Sequence, residues 1–274
     1  MKNGIYLVAT PIGNIKDISL RAIEVLNNAE IVACEDTRVT KKLFSLLNIP
    51  MVDKNFVAVH DHNERKEVFW LAEKAKDTVV AYVSDAGSPL ISDPGYKLAK
   101  ACYEKEVYLT TIPGPCALVC GLQLSGLPTN NFMFVGFIPN KDKARMDLFK
   151  RYKDIDTTLI FYETANRLLK TLSSMKKVFN GREVAVVREI TKVFEECKKG
   201  SIDGLSEYYE INQPKGEIVL LVAPQMEKEK IDFEVDLRYE MKENSLKDAV
   251  KLIAEKYNLN KNEVYKKALE LKND

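Results

Sequence analysis

The chain has 274 residues, of which 46% are hydrophobic and 30% are charged, and its formal net charge is +1. This length favours two domains, since domains of about 100–150 residues are commonest, and the composition allows an ordinary hydrophobic core. No apolar stretch approaches the roughly 20 residues that span a bilayer, and no signal-peptide pattern is present. We therefore expect a soluble, cytoplasmic protein that contacts no membrane. Because the charges balance, RNA binding would need a local basic patch, such as the one at 141–153.

Apolar runs alternate with helical periodicity through the first part of the chain. Strands are predicted at 4–10, 30–35, 56–59, 78–84 and 107–112. Amphipathic helices are predicted between them at 20–28, 40–47, 64–76 and 96–104. This β-α repetition predicts a mostly parallel sheet that helices cover on both faces.

The segment 112–128 interrupts that pattern with three prolines and three glycines. A second series of strands is predicted after it, at 132–137, 157–163, 183–189, 193–200 and 217–223. Two of the connections in this series are short, so we expect its sheet to be mixed rather than purely parallel. A boundary near residue 115 gives an N-terminal α/β domain at 1–114 and a second α/β domain at 115–226.

The C-terminal segment, 240–274, is rich in charged residues and has helical periodicity. Ser245 with Asp248, and Asn260 with Glu263, have the spacing of capping boxes that begin two helices. The sequence therefore predicts a small helical hairpin appended to the two α/β domains.

Four loops of small or charged residues fall at the ends of predicted strands, at 10–14, 35–38, 84–89 and 113–117. In a parallel sheet, ligands bind at the carboxyl ends of strands, near the point where strand order reverses. Each loop alone could be an ordinary tight turn, but four in one domain indicate a binding site. The chain has no GxG, P-loop or GxSxG motif, so the usual signals of dinucleotide, nucleoside triphosphate and hydrolase sites are missing. The remaining possibility is a small polar ligand that the backbone of these loops contacts directly.

Candidate side chains for proton transfer and phosphate binding lie at several predicted strand ends. Asp36 and Glu35 follow one strand, beside Arg38, where a carboxylate could accept a proton while the arginine holds a phosphate. The alternative is an Asp–Arg pair that only caps the next helix. In the second half, Arg167 and Lys192 could hold phosphate or could belong to ordinary helical faces.

His60 and His62 fall on one side of a predicted strand end. This placement suits a metal site, proton transfer, a polar strand end that faces substrate together with Asn63, or plain surface. Because no carboxylate or cysteine cluster completes a ligand set at recognised spacing, we expect no metal. His60 remains a candidate base behind Asp36 and Glu35.

Several ordered motifs together resemble the tetrapyrrole-methylase superfamily and, within it, the 16S ribosomal RNA cytidine 2'-O-methyltransferases. They are "LVATPIGN", "EDTR", "HDHNE", "VSDAGSPLISDPGY", "PGPCA", "FYETANR", "REITK" and "KGEIVLLV". The resemblance covers about residues 4–224, and the C-terminal segment is similar to that family's small C-terminal domain. It implies two α/β domains, S-adenosylmethionine in the cleft between them, and a homodimer. It also implies methyl transfer to the ribose 2'-oxygen of a decoding-region cytidine in 16S rRNA of the small ribosomal subunit.

Matched position by position, the resemblance implies a set of cofactor-binding residues: Pro11, Ser84, Asp85, Ala86, Gly87, Ser88, Ile91, Cys116, Ala117, Phe161, Tyr162, Lys215 and Gly216. Arg38, Arg167 and Lys192 would then hold RNA phosphate, with His62 and Asn63 near the substrate. Two other functions stay open: a methylase acting on a tetrapyrrole of the precorrin or uroporphyrinogen type, and a ribosome-binding protein without catalysis. Tetrapyrrole-modifying relatives usually have a Gly-Asp-Pro loop where this chain has Asp-Ala-Gly at 85–87, and the difference favours RNA.

Overall fold

The computed structural model describes residues 1–60, 64–91, 96–225, 233–257 and 259–273. The chain divides into two compact units, Met1–Gln225 and Met226–Asp274. The first unit contains two five-stranded sheets with their helices. The second unit is helical. In the described ranges, no helix is both long enough and apolar enough to cross a membrane.

The first sheet is parallel, as the β-α repetition predicts, with the strand order β3-β2-β4-β1-β5. Its elements are β1 (Gly4–Val8), α1 (Leu20–Asn28), β2 (Ile31–Cys34), α2 (Thr37–Leu46), β3 (Asn55–Ala58), α3 (Glu64–Lys74), β4 (Val79–Val83), α4 (Tyr96–Glu104) and β5 (Leu109–Ile112). Alternate residues of the strands enter different cores: Ile5 packs on the α3 and α4 side, and Tyr6 on the α1 and α2 side. Helices thus cover both faces, as expected.

The connections from β1 and β4 leave the first sheet in opposite directions. Chain order takes β1 to β2 on one side and β4 to β5 on the other, while β1 and β4 are direct neighbours. The loops after these two strands meet: the Thr10 amide donates to the Gly87 carbonyl at 2.9 Å, and the Gly87 amide donates back at 3.1 Å. This is the topological switch point, where open α/β sheets bind their ligands.

The second sheet is mixed, as the short connections predict, with the order β6-β7-β10-β8-β9. Only β6 and β7 pair in parallel, and the other neighbours are antiparallel. Its elements are α5 (Ala117–Ser125), β6 (Phe132–Phe137), α6 (Asp142–Tyr152), β7 (Thr158–Thr164), α7 (Leu168–Lys176), β8 (Val184–Arg188), β9 (Glu196–Gly200), α8 (Ile202–Ile211) and β10 (Glu217–Val222). Helix α5 lies within the segment 112–128, where the sequence analysis found only an interruption of the β-α pattern and predicted no helix. A Cβ on its Gly121 would lie 2.7 Å from a Val219 methyl, so the glycine lets α5 pack closely on β10.

The second unit contains three helices in its described residues, rather than the predicted hairpin. They are α9 (Glu234–Glu243), α10 (Leu246–Lys256) and α11 (Lys261–Asn273). The sequence predicts α10 and α11 but misses α9, and the predicted start at residue 240 falls inside it. Helix α9 is hard to detect because Leu237 is its one fully buried side chain, while Val235 and Tyr239 are exposed. Leu237 packs in a common core with Ile253 and Val264.

Candidate functional site

Two adjoining cavities flank the loop at 84–89, at the switch point of the first sheet. The first cavity, of about 300 Å³, lies between this loop, the start of α5 and the second sheet. It is lined by Ile12, Ala86, Gly87, Ser88, Ile91, Cys116, Ala117, Phe137, Tyr162, Glu163, Thr164, Ile190, Glu217, Ile218 and Val219. Its volume is at the lower end of the range of about 300–1,000 Å³ that is usual for small-molecule sites.

The second cavity, of about 530 Å³, lies on the other side of the same loop, against α2. It is lined by Pro11, Ile12, Gly13, Ile15, Val39, Thr40, Lys42, Leu43, Leu46, Ser84, Asp85, Ala86, Lys192 and Glu217. The two cavities share Ile12, Ala86 and Glu217. A ligand in one would therefore lie beside a ligand in the other.

Hydrogen bonds within the loop fix its shape. The Ser84 hydroxyl donates to the carbonyls of Ala86 at 3.3 Å and Gly87 at 3.2 Å. The Ser88 hydroxyl donates to the Pro115 carbonyl at 3.3 Å, which ties the loop to the segment before α5. Gly87 has φ +82°, in the left-handed region that a residue with a Cβ adopts at a cost. The small residues keep the loop backbone accessible from both cavities.

The N-terminus of α5 opens into the first cavity. Cys116 is the N-cap residue, and its side chain makes no capping hydrogen bond. The first turn of α5 contains no acidic residue, and Cys116 and Ala117 line the cavity. Unsatisfied N–H groups and the helix dipole favour an anionic group, such as a carboxylate, at this end.

Asp36 and Arg38 form a close ion pair at the start of α2. The Asp36 carboxylate accepts the Arg38 amide at 2.8 Å and lies 2.6 Å from a guanidinium nitrogen of the same residue. These hydrogen bonds from Arg38 lower the pKa of Asp36 to about 2. Such a carboxylate is a weak proton acceptor at neutral pH, and neither Asp36 nor Arg38 lines either of these two cavities. The geometry therefore agrees with the helix-capping alternative.

Asp85 differs from Asp36 although the two are neighbours. It lines the second cavity, and its carboxylate accepts the Asp36 amide at 3.1 Å. Loss of hydration is the largest effect on Asp85, and it raises the pKa of this carboxyl above its ordinary value. Asp85 is therefore the stronger base of the pair.

Comparison with known proteins identifies the family. The family model described as "Tetrapyrrole (Corrin/Porphyrin) Methylases" matches residues 4–206, which is most of the chain. The chain belongs to this family. A second model, "RsmI C-terminal HTH domain", matches residues 234–272 and so covers the three helices of the second unit.

Relatives of this chain carry the name "Ribosomal RNA small subunit methyltransferase I". The one from Erythrobacter litoralis (strain HTCC2594) is 45% identical over 98% of this chain and 95% of its own length. The one from Rickettsia prowazekii (strain Madrid E) is 39% identical over 97% of this chain and 96% of its own length. The predicted family membership is thereby confirmed.

Solved structures with low identity have the same fold. A diphthine synthase aligns with a TM-score of 0.64 at 17% identity, over 80% of this chain and 89% of its own. The uroporphyrin-III-C-methyltransferase from Thermus thermophilus aligns with a TM-score of 0.54 at 20% identity, over 81% and 94%. Both agree with the predicted α/β fold of the tetrapyrrole methylases.

The structure places the predicted cofactor-binding residues of this chain in different surroundings. Ala86, Gly87, Ser88, Ile91, Cys116, Ala117 and Tyr162 line the first cavity. Pro11, Ser84 and Asp85 line the second cavity, on the far side of the loop. Phe161 lines neither, because strand alternation turns it into the core, where its ring centroid lies 5.8 Å from that of Phe149. Lys215 and Gly216 are exposed outside both, next to Glu217, which lines both.

The predicted phosphate-binding cations of the second half are already paired with carboxylates. Arg167 lies 2.5 Å from the buried Glu163 and lines neither cavity, within the part of the chain that the structure describes. Lys192 lines the second cavity, with its ammonium 3.0 Å from Glu189 and 3.2 Å from Glu217. Either cation would have to exchange a carboxylate for a phosphate.

The remaining predicted residues lie away from the cavities or outside the described part. Glu35 and His60 are exposed and line neither cavity, and His62 and Asn63 lie outside the described residues. Conversely, the sequence did not single out several residues that line the first cavity: Ile12, Phe137, Ile190, Glu217 and Val219. Four of these five are apolar residues on strands and turns, which carry no chemical signal of a site, so only their position in the fold identifies them.

Proposed function

We propose that this chain transfers a methyl group from S-adenosylmethionine to the ribose 2'-oxygen of a decoding-region cytidine in 16S rRNA of the small ribosomal subunit. The observation that carries the proposal is the pair of adjoining cavities at the switch point, since a transfer reaction needs donor and acceptor side by side. The relatives' name specifies ribosomal RNA of the small subunit, and it supports this RNA as the methyl acceptor. The cytoplasm, where ribosomal subunits are found, is then the expected location.

The first cavity fits S-adenosylmethionine. Its wall combines apolar side chains, such as Ile190 and Val219, with the accessible backbone at 86–88, which suits an adenosine that is approached by main-chain groups. The uncapped start of α5 would receive the carboxylate of the methionine portion. When bound, the cofactor supplies an activated methyl group on a sulfonium.

Residues at the border of the cavities position the acceptor. Ala86 and Ile12 belong to both walls and exclude water from the space between the ligands. Asp85, with its raised pKa, orients the 2'-hydroxyl and accepts its proton. Asp36 donates its amide to Asp85 and so holds the carboxylate in place. Asp36 and Arg38 therefore act on the site by positioning.

The chain acts as a homodimer in this proposal. Strand β6 is an edge strand of the second sheet, and three of its large apolar residues, Phe132, Met133 and Phe137, are exposed. Exposed apolar edges of this kind usually mark surfaces that another chain covers. Light scattering that gives a monomer at micromolar concentration would contradict the homodimer without affecting the proposed reaction.

The test is methyl transfer from radiolabelled S-adenosylmethionine to small ribosomal subunits that lack the modification. We expect label in 16S rRNA, and nuclease digestion should release it as 2'-O-methylcytidine. Labelling of a uroporphyrinogen in place of subunits would favour the tetrapyrrole alternative. Subunit binding with no S-adenosylmethionine binding by calorimetry would favour the non-catalytic alternative.

A further inference from the structure

The three helices of the second unit differ in charge. Helix α9 has four acidic and two basic residues. Helices α10 and α11 together have seven lysines and four acidic residues. The unit therefore combines one acidic helix with a basic helix pair, although the formal net charge of the whole chain is only +1.

The lysines that face α9 are neutralised by its carboxylates. The ammonium of Lys267 in α11 lies 3.1 Å from the Glu234 carboxylate, and Lys256 in α10 forms an ion pair with Asp236. The Tyr257 hydroxyl donates to the same Asp236 carboxylate at 2.6 Å. Acidic residues of α9 are thus engaged on the side where α9 meets the other two helices.

The opposite side of α11 has an exposed stripe of basic and apolar residues. Four residues at the spacing i, i+4, i+8 and i+11 share this stripe: Lys261, Tyr265, Leu269 and Lys272. Tyr265 lies about 200° around the helix from Lys267, so the stripe faces away from the ion pair with α9. Tyr265 is 46% exposed, and among the described residues neither lysine of the stripe forms an ion pair.

Helix α10 continues the basic surface. Lys247 and Lys251 are exposed and are spaced i, i+4, and Lys247 lies about 180° around the helix from the paired Lys256. Neither forms an ion pair within the described part of the unit, and Glu255 is the acidic residue at the border. Because α10 and α11 pack together in one core, the two stripes adjoin on the side away from α9. We call this surface the basic face: Lys247, Lys251, Lys261, Tyr265, Leu269 and Lys272.

The composition of the basic face favours a nucleic acid over a protein as its partner. Lysine is depleted in protein–protein interfaces, whose centre is apolar, whereas lysine ammonium groups bind phosphates. An exposed tyrosine among lysines is typical of surfaces that bind single-stranded nucleic acid, where the ring stacks on a base. Four residues separate α10 from α11, as in helix-turn-helix units, whose second helix contacts nucleic acid.

We infer that the basic face binds RNA of the small ribosomal subunit, at a contact separate from the two cavities. Its lysines bind backbone phosphates, and Tyr265, with Leu269 beside it, stacks on an unpaired base. The deep, narrow groove of an RNA duplex does not admit a helix, so the contact is to backbone and to unpaired bases. The inference rests on the proposed function, because that function supplies the RNA.

The first experiment compares two lysine variants of the full chain in binding to unmodified small subunits at several salt concentrations. Lys272→Gln is paired with Lys242→Gln, because both are exposed lysines in the last turn of their helices and Lys242 belongs to α9. We expect Lys272→Gln to weaken binding by about 3- to 10-fold and to lower the slope of log affinity against log salt by about 1. Lys242→Gln should leave the affinity within about 2-fold, as is usual for an exposed residue without contacts.

The second experiment compares Tyr265→Ala with Tyr239→Ala, since Tyr239 is an exposed tyrosine of α9. Tyr265→Ala should weaken subunit binding by about 5-fold or more, the scale of one lost stacking contact, with an unchanged salt slope. Tyr239→Ala should stay within about 2-fold of the wild type. Melting temperatures of all four variants should match that of the wild type, because the altered side chains are exposed.

Protein-free 16S rRNA identifies the partner. The same losses of affinity on this RNA support the inference. Losses that occur on subunits but not on protein-free rRNA would assign the basic face to a ribosomal protein and overturn it. If Lys272→Gln and Tyr265→Ala match their controls while the wild type labels subunits, the basic face is wrong and the function stands. If the wild type binds subunits but labels none, the proposed function fails, and the binding comparison still decides the basic face.

Discussion

The carboxyl ends of β2 and β4 bring Asp36 and Asp85 together, where the amide of the first donates to the carboxylate of the second. Arg38 holds the pKa of Asp36 at about 2, whereas burial raises the pKa of Asp85. These two neighbouring carboxylates can thus have different roles, because their surroundings give them different pKa values. We assign positioning to Asp36 and proton transfer to Asp85.

Asp85→Asn should lower single-turnover methylation at saturating S-adenosylmethionine by about 100-fold or more, the scale of a positioned acid–base group. Asp36→Asn should lower it by less than about 10-fold, because an asparagine oxygen can still cap α2.

The wild-type rate of methylation should fall as the pH drops through the raised pKa of Asp85, since the protonated carboxyl cannot accept a proton. Asp36 stays ionised down to about pH 2, so it should cause no such decrease in rate. If the rate of the Asp85→Asn variant still falls over the same pH range, Asp85 is not the group that accepts the proton.

Gly87→Val should weaken S-adenosylmethionine binding by at least about 10-fold, because the new side chain projects from a residue that lines the first cavity. Gly181→Val is the matched control, since both glycines have φ +82° and a Cβ at Gly181 meets nothing within 4 Å. Both variants should incur the left-handed backbone cost, on the order of 1–2 kcal/mol. Calorimetry measures the affinities, and equal affinities for the two variants would remove the loop from the cofactor site.

At the scale of elements, helix α9 changes the C-terminal unit from a hairpin to a three-helix core. Two short amphipathic helices leave one side of their apolar stripe open to water, and Leu237 of α9 closes it against Ile253 and Val264. Ion pairs add to this contact, including those from Lys267 to Glu234 and from Lys256 to Asp236. These pairs are exposed, so we attribute the stability of the unit to the buried leucine.

Leu237→Ala should destabilise the second unit by about 2–5 kcal/mol, because it removes a fully buried side chain from a small core. Val235→Ala on the same helix should change stability by less than about 0.5 kcal/mol, since Val235 is exposed. Hydrogen exchange in the full chain is the measurement, and the amides of α10 and α11 should exchange faster only in Leu237→Ala. Unchanged protection in that variant would mean that α10 and α11 are stable as a pair.

At the scale of the whole first unit, the site depends on contact between the two sheet domains. The loop at 10–14 lies directly on the turn at 189–192: the Asn14 amide donates to the Thr191 hydroxyl at 3.0 Å. A Cβ on Gly13 would lie 2.6 Å from a Lys192 methylene and 2.9 Å from the Ile190 carbonyl oxygen. Both cavities include residues from this contact, so a change here should affect the binding of the methyl donor and of the acceptor together.

Gly13→Ala should force the loop and the turn apart, at a cost of about 1–3 kcal/mol in stability. We expect weaker S-adenosylmethionine binding and a higher KM for subunits, both by several-fold. Gly200→Ala is the control, because a Cβ there meets nothing within 4 Å. Thermal melting and calorimetry on both variants test this, and wild-type affinity in a destabilised Gly13→Ala would show that the interdomain contact does not shape the cofactor cavity.

The sequence by itself determined the strands, the parallel first sheet, the mixed second sheet and the family. Periodicity is a local property, so α1 at 20–28 and α4 at 96–104 could be predicted to the residue. The loops at 10–14 and 84–89 could be predicted as a candidate site because both follow strands of a parallel sheet, whose carboxyl ends are where ligands bind.

Only the tertiary structure decided which way each residue of those loops and strands faces. Loop conformation places Asp85 in the second cavity and Gly87 in the first, and strand alternation buries Phe161 while Tyr162 lines the first cavity. The sequence also could not separate a catalytic Asp36 from a helix cap, because the pKa of a carboxyl depends on the groups that the fold brings to it. Orientation, partners and burial come from contacts between distant segments, which local pattern does not encode.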